Sequence, residues 1–64
     1  MKTILLNVSA IESCVDKHDA CVVKTKTGSI WVLCKTIANK KTFDVIRSAR
    51  LNEILELPLK NKEV

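Results

Sequence analysis

Residues 20–36 read ACVVKTKTGSIWVLCKT. Two β-branched, apolar runs flank Thr27-Gly28, which is the pattern of a β-hairpin. A two-residue turn at Thr27-Gly28 sets Lys26 opposite Ser29, Thr25 opposite Ile30, Val23 opposite Val32 and Cys21 opposite Cys34. Gly28 takes a positive φ at low cost. Thr27 is β-branched and a poor first residue for a primed turn, so a longer loop with a bulge is the competing reading. Side chains alternate across a strand, so those of Cys21, Val23, Thr25, Ile30, Val32 and Cys34 share one apolar face that meets the core. The opposite face carries Ala20, Val22, Lys24, Lys26, Ser29, Trp31, Leu33 and Lys35. A slip of one residue exchanges these faces.

Outward from the hairpin, Thr3 to Val15 reads as one long strand or two short ones. The apolar parity changes from Ile4, Leu6, Val8 and Ala10 to Ile11 and Val15, which places a bulge or bend near Ala10-Ile11. Asp16-Lys17-His18-Asp19 is a polar turn. Ile37-Ala38-Asn39-Lys40 is a second turn, whose Asn tolerates a left-handed backbone. Thr42 to Arg47, TFDVIR, reads as a strand with Phe43 and Val45 on one face. Residues 48–57 are ambiguous. Leu51, Ile54 and Leu55 have helical spacing behind a capping Ser48, whereas Leu55, Leu57 and Leu59 alternate like a strand, the favoured reading. Pro58 suits only an edge strand or an end.

With 64 residues the chain makes one domain, expected over 1–59 with a charged tail over 60–64. A domain of this size buries roughly 60% of its unfolded surface and is marginal. One Phe and one Trp leave the core to aliphatic side chains. A homo-oligomer would relieve the shortage of buried area. The net charge of +4 is concentrated in residues 24–50, while both flanking segments are slightly acidic. That distribution suits an anionic partner, either nucleic acid or an acidic protein surface, and is also met in a merely solvated lysine-rich surface. No apolar run approaches the ~18 residues of a membrane span. The opening apolar run stops at Asn7, too early for a signal-peptide core, so a cytoplasmic protein is expected.

Catalytic chemistry finds little support. There is one Gly and no Gly-rich loop, and His18 with Asp16 and Asp19 has the composition of a turn. Cys14, His18, Cys21 and Cys34 are the only soft-ligand set, but their spacing matches no zinc knuckle, and no cofactor or metal is expected. Cys21 and Cys34 read as small core hydrophobes. A Cys21–Cys34 bridge is conceivable in the simple register, though an odd cysteine count in a reducing setting argues against one. Trp31 either covers the core from its rim or stands exposed beside Lys24, Lys26 and Lys35, where it could stack on a base or anchor a partner. Lys40, Lys41, Arg47 and Arg50 extend the positive surface.

Gly28-Ser29-Ile30-Trp31-Val32-Leu33 is similar to a G-x-W-Y-L-type strand, with Val32 in place of the Tyr. Lys41-Thr42-Phe43-Asp44-Val45-Ile46-Arg47 is similar to an R-T-F-R-L-D-R-I-type strand, with Asp44 replacing a basic residue and Ile46 an acidic one. Over about residues 28–47 the chain thus resembles the WYL domain, a small Sm-like β-barrel of bacterial transcription regulators and defence-associated proteins. The resemblance implies a barrel that binds nucleic acid or a nucleotide-like ligand through basic residues, here Lys41 and Arg47.

The expectation is therefore a mainly β domain. It would be a five-stranded SH3- or Sm-like barrel or a bent antiparallel sheet, with a short C-terminal helical turn as the alternative near residues 48–57. The expected function is a non-catalytic module that binds nucleic acid or a nucleotide-like ligand through Trp31, Lys24, Lys26, Lys35, Lys41 and Arg47. The alternative is a small protein–protein interaction factor, such as a phage-encoded inhibitor of a host protein or an oligomeric accessory subunit. Trp31 and Leu33 would then be the anchors.

Overall fold

A computed structural model describes residues 2–60. The elements are β1 (Thr3–Asn7), a 3-10 turn (Val8–Ala10), β2 (Ile11–Asp16), β3 (Cys21–Thr25), β4 (Ile30–Leu33), β5 (Thr36–Ile37), β6 (Lys40–Lys41), α1 (Thr42–Ser48) and β7 (Ile54–Pro58). The protein is mainly β, and its strands form three small antiparallel sheets, β1-β7, β2-β3-β4 and β5-β6.

The bend expected near Ala10-Ile11 is the 3-10 turn. Its cause is local. The Asn7 side-chain oxygen accepts the Ser9 backbone N–H at 3.1 Å and the Ser9 hydroxyl at 2.8 Å, which caps the turn and redirects the chain. The polar turn after Asp16 is also present, closed by Lys17 N–H donating to the Ala20 carbonyl at 2.8 Å. At the second turn Ala38 (φ 49°) and Asn39 (φ 68°) are both left-handed, as a two-residue primed hairpin between β5 and β6 requires.

The β3–β4 hairpin takes the longer loop. Gly28 N–H donates to the Thr25 carbonyl at 3.0 Å, Thr25 N–H donates to the Ser29 carbonyl at 2.9 Å, and Gly28 has φ 95°. Three residues, Lys26 to Gly28, thus span the turn. The register is Lys24–Ile30, Val23–Trp31, Val22–Val32 and Cys21–Leu33, one residue from the two-residue-turn expectation. The outcome divides by strand. β3 has the expected faces, with Cys21, Val23 and Thr25 buried. β4 is inverted: Leu33 is wholly buried and Trp31 half-buried beside Val23, while Ile30 is exposed. The pairing of Cys21 with Cys34 does not occur.

The strand expected over 42–47 is instead α1. TFDVIRS supports both periods, but the helix buries Thr42 and Ile46 four residues apart and lays the Arg47 guanidinium 5.4 Å from the centre of the Phe43 ring. The segment equated with the second strand of the WYL resemblance is therefore helical. Between residues 48 and 58 the favoured strand forms as β7, with Leu55 and Leu57 buried and Leu59 partly so.

The five-stranded barrel is not formed, because the sheets do not close. The end of β7 and the residue after it link two of them. Leu59 bridges Leu33, Cys34 N–H donates to the Pro58 carbonyl at 3.0 Å, and Leu59 N–H donates to the Lys2 carbonyl at 2.8 Å. Pro58 tolerates this place because the link there uses its carbonyl. Among the described residues no strand pairs with the outer edge of β2, and its pairing with β3 carries a bulge between Ile11 and Ser13, at Glu12. The core lies between the sheets and α1, and is built from Leu6, Val8, Cys21, Val23, Leu33, Ile46, Leu55 and Leu57. Each wholly buried aliphatic side chain contributes roughly 1.5–3 kcal/mol. Of the tail expected over 60–64, Lys60 is ordered against Val32 and the remainder lies outside the described residues. Among the described residues no helix is long and apolar enough to cross a membrane.

Candidate functional site

The register of β2, β3 and β4 decides what the sheet shows to solvent. Val15 pairs with Val22, and Val22 with Val32, so three valines form one row across the outer face. The next row is Ser13, Lys24 and Ile30. Ile30 is 63% exposed and Val15 46%, with Val22 and Val32 half-buried. None of these six residues is acidic, and Lys24 is the one charge among them.

The residues expected to bind an anion are not gathered on one surface. Trp31 is on the core side of β4, where it packs against the buried cluster, so its indole does not share a face with Lys24. Lys24 and Lys26 belong to the β3–β4 hairpin end. Lys35 sits at the other end, by the β2–β3 turn. Its Nζ donates to the carbonyls of Lys17 and His18, both at 2.9 Å, and lies 3.9 Å from the Asp16 carboxylate. That ammonium holds a turn together. Lys41 closes the β5–β6 hairpin, and Arg47 is on α1, stacked on Phe43. Lys60 likewise ties to the β2–β3 turn, donating to the Asp19 carbonyl at 2.9 Å with its carboxylate at 3.5 Å. The Lys60 ammonium holds the Asp19 carboxyl below the usual carboxylate range.

Comparison with family models, with curated proteins and with solved structures returns no match. Function has to be argued from the chain's own chemistry.

The soft-ligand set is likewise dispersed. Cys14 and Cys21 lie side by side with their sulfurs 3.3 Å apart. Cys34 points elsewhere, its thiol 3.7 Å from the Leu59 carbonyl, and His18 is exposed in its turn. Among the described residues no three His, Cys, Asp or Glu side chains converge as a metal would require. Two open clefts flank the sheets. One, of about 310 Å³, separates β2 from α1 and is lined by residues including Ile11, Cys14, Ile46 and Arg47. The other, of about 300 Å³, lies under the β5–β6 hairpin beside Cys34 and Pro58.

Sequence reasoning missed Val32 and Ile30 as surface residues, having placed them in the core. The signal was present in Thr27, whose branched Cβ disfavours the two-residue turn that the expected register required.

Proposed function

We propose that the chain is a small non-catalytic protein-interaction module that docks the outer face of β2-β3-β4 on an acidic protein surface with an apolar centre. The observation that carries this is the Val15–Val22–Val32 row with exposed Ile30, an apolar patch on a sheet face that no element among the described residues covers. The charge identifies the kind of partner. The six residues of the two rows include one lysine and no carboxylate, and the chain as a whole carries +4. A second copy would bring lysine toward lysine, whereas an acidic surface is complementary and is steered in by the field. Nucleic acid is the competing partner class. It draws on the same charge, but loses the stacking platform because Trp31 faces the core.

The test uses three variants. Val22→Asp sets a carboxylate in the middle of the face without entering the core, Lys24→Glu reverses its charge, and Trp31→Phe leaves the face untouched. With a partner recovered by cross-linking, the first two should weaken affinity tenfold or more, about 1.4 kcal/mol or above, and the third should not. Association should also slow with added salt. Retention of the partner by Val22→Asp sinks the proposal. So does tight, salt-sensitive binding to a single-stranded oligonucleotide that Trp31→Phe weakens, which would restore the nucleic-acid reading.

A further inference from the structure

Cys14 and Cys21 occupy adjacent strands one diagonal step apart, since Cys14 pairs with Val23 and Cys21 with Asp16. Both side chains point to the core side, and their sulfurs approach to 3.3 Å. A disulfide bond is about 2.05 Å long, so the sulfurs need close by only about 1.3 Å. The two thiols differ in access. Cys14 is half-buried and forms part of the wall of the cleft between β2 and α1. Cys21 is wholly buried behind it. Cys34 is out of reach on the far side of β4, against the Leu59 carbonyl.

We propose that Cys14 and Cys21 are an oxidative modification site at which hydrogen peroxide converts the dithiol to an intramolecular disulfide. The Cys14 thiolate attacks a peroxide oxygen reached through the cleft, the O–O bond breaks, and the departing oxygen takes up a proton as water. Cys14 is then a sulfenic acid. Cys21 sulfur attacks the Cys14 sulfur, the S–O bond breaks, and the second water leaves with the Cys21 proton. Two thiols are oxidised by two electrons and one peroxide is reduced to two waters. The bridge would fasten β2 to β3 directly behind Val15 and Val22, fixing the strands that carry the apolar row.

Burial governs the rate. It pushes the Cys21 thiol up to about 12 and the Cys14 thiol above its usual 9.0. The charged and titratable groups facing Cys14 are Arg47 from α1, which favours the thiolate, Cys21 from β3, and Asp16 and Glu12 from its own strand. The reaction is accordingly slow near neutrality, and its rate should climb about tenfold per pH unit as the thiolate fraction grows.

Trypsin separates the three cysteines, because cleavage at lysine leaves Cys14 in residues 3–17, Cys21 in 18–24 and Cys34 in 27–35. The full chain, folded and reduced, is treated with hydrogen peroxide, alkylated and digested without reductant. The expected product is peptide 3–17 joined to 18–24, an intact mass lower by about 2 Da, and Cys34 alone alkylated. Cys21→Ser should stop the reaction at a Cys14 sulfenic acid that dimedone traps. Mapping of the unaltered chain needs no variant to fold. Three alkylatable thiols after peroxide treatment, a bridge that includes 27–35, or a rate independent of pH would each overturn the proposal.

Discussion

Two buried threonines give opposite expectations for one chemical change. Thr42 opens α1 and is wholly buried, and its hydroxyl has no hydrogen-bond partner among the described residues. Its backbone N–H is satisfied, donating to the Lys35 carbonyl at 2.7 Å. An orphaned buried hydroxyl costs about 1–3 kcal/mol of desolvation, and valine has the same shape without it. Val and Thr differ little in helix propensity, so Thr42→Val should stabilise the fold by about 1–2 kcal/mol. In a domain this small each kcal/mol moves the Tm by roughly 4–8 °C. Thr25 is also buried, but its hydroxyl accepts the Ser29 N–H at 3.1 Å and lies 2.9 Å from the Thr27 hydroxyl. Thr25→Val leaves that N–H without its side-chain acceptor and should destabilise by about 1–2 kcal/mol. Urea unfolding followed by far-UV circular dichroism measures both, and an unchanged m-value confirms that stability alone has moved. If Thr42→Val lost 1 kcal/mol or more, the hydroxyl would have a partner and the reasoning would fail.

Other substitutions probe separate features. Ala38→Gly relieves a left-handed alanine worth about 1–2 kcal/mol but loosens the unfolded chain by part of that, so a net gain of about 0.5–1 kcal/mol is expected in the same urea assay. A loss would mean that the hairpin does not hold φ 49° there. Trp31→Ala removes a half-buried side chain that packs on the core, and should cost about 2 kcal/mol, less than the 3–5 of a fully buried aromatic. A cost below about 0.5 kcal/mol would return the indole to solvent. For Asp19 the folded-state pKa is lowered, so its contribution to stability is present above the ordinary value of 3.8 and is lost as pH falls through the lowered one. In an NMR titration Lys60→Ala should raise the Asp19 midpoint toward 3.8, and an unmoved midpoint would show that the ion pair does not form in solution.

The sequence revealed much of the fold. The bend after β1, both turns and the β7 strand follow from the parity shift at Ala10-Ile11, the polar run from Asp16 to Asp19, Asn39 and the leucine alternation, because each is decided within a few residues. Two features escaped. TFDVIR satisfies the strand and helix periods together, and only burial of Thr42 and Ile46 beneath the sheet selects the helix. The register of β4 turns on a single extra loop residue, and with period-two side chains that one residue moved Trp31 inward and Ile30 outward. The candidate site inherited the error, since its stacking platform and its lysines were assigned one face through that register. The proximity of Cys14 to Cys21 was hidden for a different reason: it depends on the diagonal of the β2–β3 pairing, downstream of the bulge at Glu12.

The edge of β2 that no strand pairs among the described residues bears on solubility. Such an edge is a template on which further strands of the same chain can grow. If two copies met along it with Cys14 at the two-fold axis, Glu12 of each would oppose Asp16 of the other. Repulsion between these carboxylates, partly offset at Asp16 by the Lys35 ammonium 3.9 Å away, and the bulge at Glu12 would both oppose such growth. Replacing either carboxylate with an uncharged side chain would remove that guard and leave the edge beside the valine row open to a second copy.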